Sequence, residues 1–269
     1  MQNPLNEQQV KRYSRQLMID GIDDAAQQRL LASRVLVVGA GGLGSAAIQY
    51  LAAAGVGTIG IADGGAVKLS NLQRQVIHHT EHLGVSKVES ARRYVELLNP
   101  DIEVITHEQT VTADTAADLV ESYDIVIDGL DNFQGRFLLN DTTRLADIPF
   151  VHGAIYGFEG HTTVFLLEEP CYRCLLPAVP DDDRFPSGEP MGIFPTLPGI
   201  IGSLEATETI KYLLDIGTLI EGTLLRFDAL DGTFLSAPIK ARPDCPICGP
   251  DAIESIDGVD YEGDCRIEP

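Results

Sequence analysis

Two groups of residues in this chain have types and spacings that could carry chemistry. The first is a pair of Cys-x-x-Cys steps, Cys171 and Cys174 in "CYRC" and Cys245 and Cys248 in "CPIC". Each step can grip one side of a tetrahedral ion, and together they supply the four thiolates of a structural zinc site with no position left for substrate. A redox role is the alternative for either pair alone; two pairs in a cytosolic chain favour zinc. The second group surrounds "GAGGLG", in which Gly39, Gly41 and Gly44 follow the G-x-G-x-x-G pattern, with Gly42 between them. Such glycines allow a tight turn and let backbone N–H groups and a helix N-terminus meet phosphate oxygens.

Asp63, at the end of the next apolar run, suits a ribose hydroxyl. Up to this point NAD and ATP fit equally well. The segment "SNLQRQ" separates them, because it sets Asn71, Arg74 and Gln75 just beyond that run, while Lys87 opens the following helix. Cations converging on a nucleotide suit a triphosphate, where charge develops during attack at the α-phosphorus. Taken singly, each cation reads first as a surface charge. Asp128 and Asp131 follow the run "YDIVI", at a strand end where a metal–phosphate contact is geometrically reasonable. For Asp128 a local turn contact is the alternative.

Positioning these groups requires strands alternating with helices. The run "RVLVV" reads as a buried strand leading through the turn into an alanine-rich helix, and "VGTIGIAD" closes a βαβ unit. A helix from Asn6 to Leu17 precedes it; "KVESARRYVELLNP", "TADTAADLVES" and "FQGRFLLNDTTRLADIPF" predict further helices, and "DIEVIT" a strand. "VHGAIYG" and "HTTVFLL" predict strands of partly antiparallel character. Residues 177–196, with five prolines, read as a long irregular crossover. A buried helix over 197–217 and a hairpin across "LDG" follow. The expected fold class is α/β: a Rossmann-like, mainly parallel sheet with helices on both faces, plus a C-terminal hairpin region tied by the four-cysteine zinc site. Residues 1–170 form the N-terminal helical segment and nucleotide-binding core. Residues 171–269 form the crossover, buried helix, hairpin, zinc-tied end and acidic tail, the whole making one integrated domain.

The chain has 269 residues and 44% hydrophobic content, enough for a substantial core. A formal net charge of -21 disfavours nonspecific contact with nucleic acid or anionic membrane. No signal peptide or spanning segment is evident, so the expected location is the cytoplasm. Five lysines beside fourteen arginines give a lysine-poor, acid-rich surface that resembles proteins of organisms with high internal salt. An ordinary acidic cytosolic protein is the alternative.

"RYSRQ", "VVGAGGLGS", "LSNLQRQ", "GVSKVESA", "DGLDNFQGR", "CYRC" and "CPICG" together resemble, in order and spacing, the adenylating enzymes of ThiF/MoeB/HesA type that activate ubiquitin-like proteins. The likeness is to the bacterial and archaeal members that serve sulfur carriers in molybdopterin, thiamine or thiolated-tRNA synthesis. It covers Arg12 to Gly249 and continues into "DYEGDC".

The resemblance implies ATP-dependent adenylation of the C-terminal glycine of a carrier ending in Gly-Gly, with release of pyrophosphate. It assigns Gly41 to the phosphate turn, Asp63 to the ribose, and Asn71, Arg74 and Lys87 to the phosphates. Asp131 would bind Mg²⁺, and Arg15 would reach the ATP phosphates across a homodimer interface. Carboxylate attack needs no general base, so none of the six histidines is nominated.

Two departures stand out. No cysteine lies within residues 177–196, so a separate sulfurtransferase or cysteine desulfurase would supply sulfur. Gly65 occupies the place of a second acid that the family often carries. Cys265 is unassigned, with exposure near the terminus its simplest expectation. The alternatives are a diverged noncatalytic or small-molecule- or tRNA-carboxylate-activating paralogue and, least favoured, an NAD-dependent oxidoreductase.

Overall fold

The computed structural model describes residues 4–168, 170–180 and 192–267. Eight strands form one sheet in the order β3-β2-β1-β4-β5-β6-β7-β8. They are β1 (Arg34–Val38), β2 (Thr58–Ala62), β3 (Glu103–His107), β4 (Ile125–Asp128), β5 (Phe150–Tyr156), β6 (Glu159–Phe165), β7 (Thr223–Asp228) and β8 (Thr233–Pro238). The first five are parallel; β6, β7 and β8 add in antiparallel fashion. The chain winds outward from β1 to β3 and then returns to β4 on the other side of β1. Beyond the carboxyl ends of β1 and β4 this reversal opens the crevice in which α/β sheets place their ligands.

Helices cover both faces: α1 (Glu7–Tyr13), α2 (Asp24–Ala32), α3 (Gly42–Ala54), α4 (Lys87–Leu98), α5 (Ala113–Val120), α6 (Phe133–Leu145), the single turn α7 (Tyr172–Leu175) and α8 (Leu197–Leu214). Successive strand side chains point to opposite faces, so β1 divides between two cores. Val35 and Val37 pack with Ile48 and Leu51 of α3, Val88 of α4 and Ala206 of α8. Leu36 and Val38 pack with Leu119 of α5 and Phe137 of α6. Burial on both faces explains why the central strands read as unbroken apolar runs. At the end of the strand order, all six residues of β8 are exposed, including Phe234 and Leu235.

The structure departs from expectation near the N-terminus. α1 stops at Tyr13 rather than Leu17, because Tyr13 turns inward and its hydroxyl accepts from Asn99 Nδ2 at 2.9 Å. α2 had no sequence signal: Asp23 caps it, but its inward face includes the buried Gln27 and breaks the apolar spacing. Residues 181–191 of the expected crossover lie outside the described residues; 192–196 contribute one isolated bridge, Ile193 to Gly157. Among the described residues no helix is long and apolar enough to cross a membrane.

Candidate active site and thiolate centre

β1 runs into the glycine turn at Gly39, whose φ of 101° lies in the left-handed region that glycine adopts without strain. A Cβ there would sit 2.4 Å from the Gly129 carbonyl oxygen, so the turn and the end of β4 are in backbone contact. A Cβ on Gly44 would lie 1.8 Å from Gly39 O, which makes this glycine obligatory for the turn-to-helix step. Gly41 caps α3 without any side-chain hydrogen bond, and the first N–H groups of the helix remain available to an anion.

Asp63 follows β2 and braces this turn. Its Oδ2 accepts Ala40 N–H at 2.9 Å and Lys87 Nζ at 3.2 Å, while Oδ1 accepts Gly65 N–H at 2.7 Å. An ionised carboxylate offers about four acceptor sites, so one remains for a hydroxyl. Lys87 has three donors and can keep Asp63 while reaching a phosphate oxygen. Gly65 serves this arrangement through its backbone.

The segment after β2 folds over the turn. Asn71 Oδ1 accepts Lys68 N–H at 3.2 Å, and Arg74 Nη1 donates to Ser70 O at 3.2 Å. Arg74 Cγ lies 3.7 Å from the place where a Cβ on Gly42 would be, and Gln75 Nε2 is equally near that of Gly41. Gln75 is buried, yet its Oε1 has no hydrogen-bond partner among the described residues. An unpaired buried acceptor beside an uncapped helix start fits a polar ligand.

His78, which sequence reasoning left unassigned, holds the same turn from beneath. Its Nε2 donates to Ala40 O at 2.9 Å, which obliges Nδ1 to accept from Ser90 Oγ at 2.8 Å; Ser90 Oγ in turn accepts from His82 Nδ1 at 2.8 Å. Burial lowers the His78 pKa and keeps the ring neutral. The role is structural, and its sequence signal was only proximity to Arg74 and Gln75.

Asp131 lies exposed in the short loop between β4 and α6, with Asn132 Nδ2 at 3.5 Å from its Oδ1. Asp128 is fully buried. It makes the local turn contact, accepting Leu130 N–H at 3.0 Å, and also meets Arg136 and His152. The structure therefore brings Gly39, Gly41, Gly42, Gly44, Asp63, Arg74, Gln75 and Lys87 together, with Asn71 and Asp131 on the segments flanking them.

Arg15 is not among them. It is exposed on the turn after α1, and its neighbours anchor at the far ends of α3 and α4. Gln16 Nε2 donates to Ala54 O at 2.9 Å and Arg12 Nη1 to Leu98 O at 2.9 Å. These carbonyls close helices that start at the site, so Arg15 stands about 18 Å along α3 from the glycine turn of its own chain.

The sulfur atoms of Cys171, Cys174, Cys245 and Cys248 all lie within 4.8 Å of one another. Four thiols converging in this way fit a tetrahedral structural ion, and these residues would hold Zn²⁺. Around them the tail is locked inward. Arg173, 0% exposed, forks onto Asp141 of α6, with Nε to Oδ1 at 2.8 Å and Nη2 to Oδ2 at 2.6 Å. Its Nη1 reaches the Cys265 carbonyl at 2.6 Å, and Tyr261 donates its hydroxyl to Asp141 at 2.7 Å. These bonds correct the expectation for Cys265: its side chain is fully buried, and desolvation pushes the thiol up to about 11.

Fold and site define an α/β protein organised around an anion-receptive glycine turn, with a thiolate cluster on its C-terminal flank. Residues 13–247 match the model of the ThiF family, and the chain belongs to that family. It is 47% identical over 263 residues to the SAMP-activating enzyme E1 of Haloferax volcanii, covering 98% of this chain and 97% of that one. The sulfur carrier protein adenylyltransferase of Thermus thermophilus is 41% identical over 266 residues, with 97% and 98% covered. Among solved structures, E. coli MccB with ATP superposes at a TM-score of 0.79 with 20% identity, over 91% of this chain and 75% of the other, a likeness of fold.

Proposed function

We propose that the protein is an adenylyltransferase that uses ATP to activate the C-terminal glycine carboxylate of a ubiquitin-like sulfur-carrier protein, releasing pyrophosphate. One observation carries this reading: an uncapped helix start, the orphaned Gln75 Oε1, and Arg74 and Lys87 converge on one crevice, in a chain whose relatives are named for carrier activation.

In this reading Gly39, Gly41, Gly42 and Gly44 admit the phosphates to the backbone, and Asp63 takes the ribose. Asn71, Arg74, Gln75 and Lys87 hold the phosphate chain, with Arg74 and Lys87 offsetting charge as the α-phosphorus is attacked. Asp131 holds Mg²⁺, which neutralises phosphate oxygens when bound. The attacking carboxylate is ionised near neutral pH, so positioning and charge suffice.

Arg15 serves the neighbouring subunit of a homodimer. Support for this is its anchorage at the end of α3 remote from its own turn. Sulfur arrives from a separate sulfurtransferase or cysteine desulfurase, since residues 177–196 hold no cysteine and Cys265 is buried with a raised pKa. Residues 1–170 and 171–269 act as one unit in the cytoplasm.

The test is carrier-dependent pyrophosphate exchange with candidate proteins ending in Gly-Gly. Exchange is expected with a matching carrier and not with one lacking the final glycine; exchange indifferent to that residue would refute a protein carboxylate as substrate. Mixing Arg15→Ala and Asp131→Ala chains should restore one working site per heterodimer. Verified heterodimers without recovery would end the proposal that Arg15 acts in trans.

A further inference from the structure

Asp131 has almost no partners of its own, yet the loop that presents it is held at both polar groups of Leu130. Asp128 Oδ1 accepts Leu130 N–H at 3.0 Å, and Arg136 Nη2 donates to Leu130 O at 2.7 Å. The clamp also closes on itself, because Arg136 Nε donates to Asp128 Oδ2 at 3.2 Å. The same oxygen accepts from His152 Nδ1 at 2.7 Å, which leaves His152 Nε2 facing His161 Nε2 at 3.3 Å. Asp128 is 0% exposed and Arg136 7%, so neither charge has water to fall back on.

This clamp touches the cysteine knuckle. Tyr172, between Cys171 and Cys174, packs its ring at a steep angle, its centroid 4.9 Å from that of His152 and 5.1 Å from that of Phe137. Its backbone N–H donates to Asn140 Oδ1 at 2.8 Å. The neighbouring Arg173 grips Asp141, about a turn and a half beyond Arg136 on the same helix. A knuckle seated on α6 thus bears on His152, which donates to the same Asp128 oxygen as Arg136.

We propose that Asp128 and Arg136 are positioning residues for Asp131, and that Tyr172 makes the seating of the four-cysteine centre part of that positioning. The inference rests on the proposed role of Asp131 in holding Mg²⁺. It implies that a centre stripped of metal loosens the Asp131 loop while the glycine turn stays ordered.

Hydrogen exchange on the purified full-length protein tests the mechanical link without reference to activity. Arg136→Lys, Tyr172→Ala and chelator-treated wild type should each exchange about tenfold faster in a peptide spanning 129–133, with no change in one spanning 39–44. Arg136→Lys should keep its metal while doing so. In carrier-dependent exchange, Arg136→Lys should raise the half-saturating Mg²⁺ concentration about tenfold and leave ATP binding in EDTA unaltered. Should Arg136→Lys not fold, Asp128→Asn, which keeps the acceptor for Leu130 N–H, replaces it. An unmoved 129–133 peptide, or equal acceleration in both peptides, overturns the clamp. A loosened loop with unchanged Mg²⁺ dependence supports the clamp and instead refutes the metal role of Asp131.

Discussion

At the glycine turn, among the described residues, the first N–H groups of α3 lack a side-chain cap and Gln75 Oε1 lacks a partner, whereas at the cysteine end a single carboxylate, Asp141, accepts from Arg173, Tyr261 and Asn140. One region keeps hydrogen-bonding capacity in reserve; the other has spent it on holding the chain together. Unpaired groups at the turn are tolerable because solvent or a ligand can satisfy them, while the fully buried Arg173 has neither option. Changes at the cysteine end should therefore appear in stability, and changes at the turn in catalysis.

The largest expected effect belongs to the cysteine end. Arg173→Ala leaves Asp141 buried without its counter-charge and should lower unfolding free energy by about 3–5 kcal/mol, read as a shift of the urea midpoint. A midpoint within error of wild type would break the contrast. Arg74→Ala should do the opposite, slowing carrier-dependent pyrophosphate exchange about 10²-fold, or roughly 2.7 kcal/mol of barrier, with the urea midpoint preserved. If stability fell in step with exchange, the turn would be as structural as the knuckle.

A smaller effect sharpens the comparison at Glu205 of α8, which packs against Gly153 of β5. It is 0% exposed, and both carboxylate oxygens are unpaired among the described residues. Burial, reinforced by Asp128, raises its pKa well above the ordinary carboxyl value of 4.5. The folded state therefore keeps a proton that the unfolded chain releases above pH 4.5. Its contribution to stability is full below that pH and is lost as pH rises through the folded pKa. Glu205→Gln, which cannot ionise, should raise the melting temperature at pH 8 by a few degrees and lose this advantage toward pH 4.5. A gain independent of pH would show that Glu205 does not titrate in this way.

What the sequence made legible was what the chain settles locally. The glycine turn, the acid ending β2, the lysine opening α4 and the spacing within each Cys-x-x-Cys step all lie within one strand–turn–helix unit or one knuckle. The hairpin across "LDG" was likewise readable, from two apolar runs and a short turn. The remainder depends on contacts between distant segments. Arg173 meets the Cys265 carbonyl across 92 residues, and Tyr261 meets Asp141 across 120. Neither the arginine between two cysteines nor the cysteine near the terminus announced its burial. Asp128 illustrates the middle case: its turn contact was foreseeable, but the pairing with His152 required knowing that β5 lies beside β4.

The bare outer strand has a consequence for how the molecule behaves in concentrated solution. β8 presents an unpaired backbone edge among the described strands, with Phe234 at 52% and Leu235 at 62% exposure. An edge of that kind is a template for pairing with another copy. A formal charge of -21 at pH 7 opposes such encounters by mutual repulsion. That repulsion fades as the solution approaches the isoelectric point near 4.4. Acidification should turn a colloidally stable protein into one that self-associates through its sheet edge, visible as light scattering before any loss of helix signal, and a charge placed at Phe234 should delay the onset.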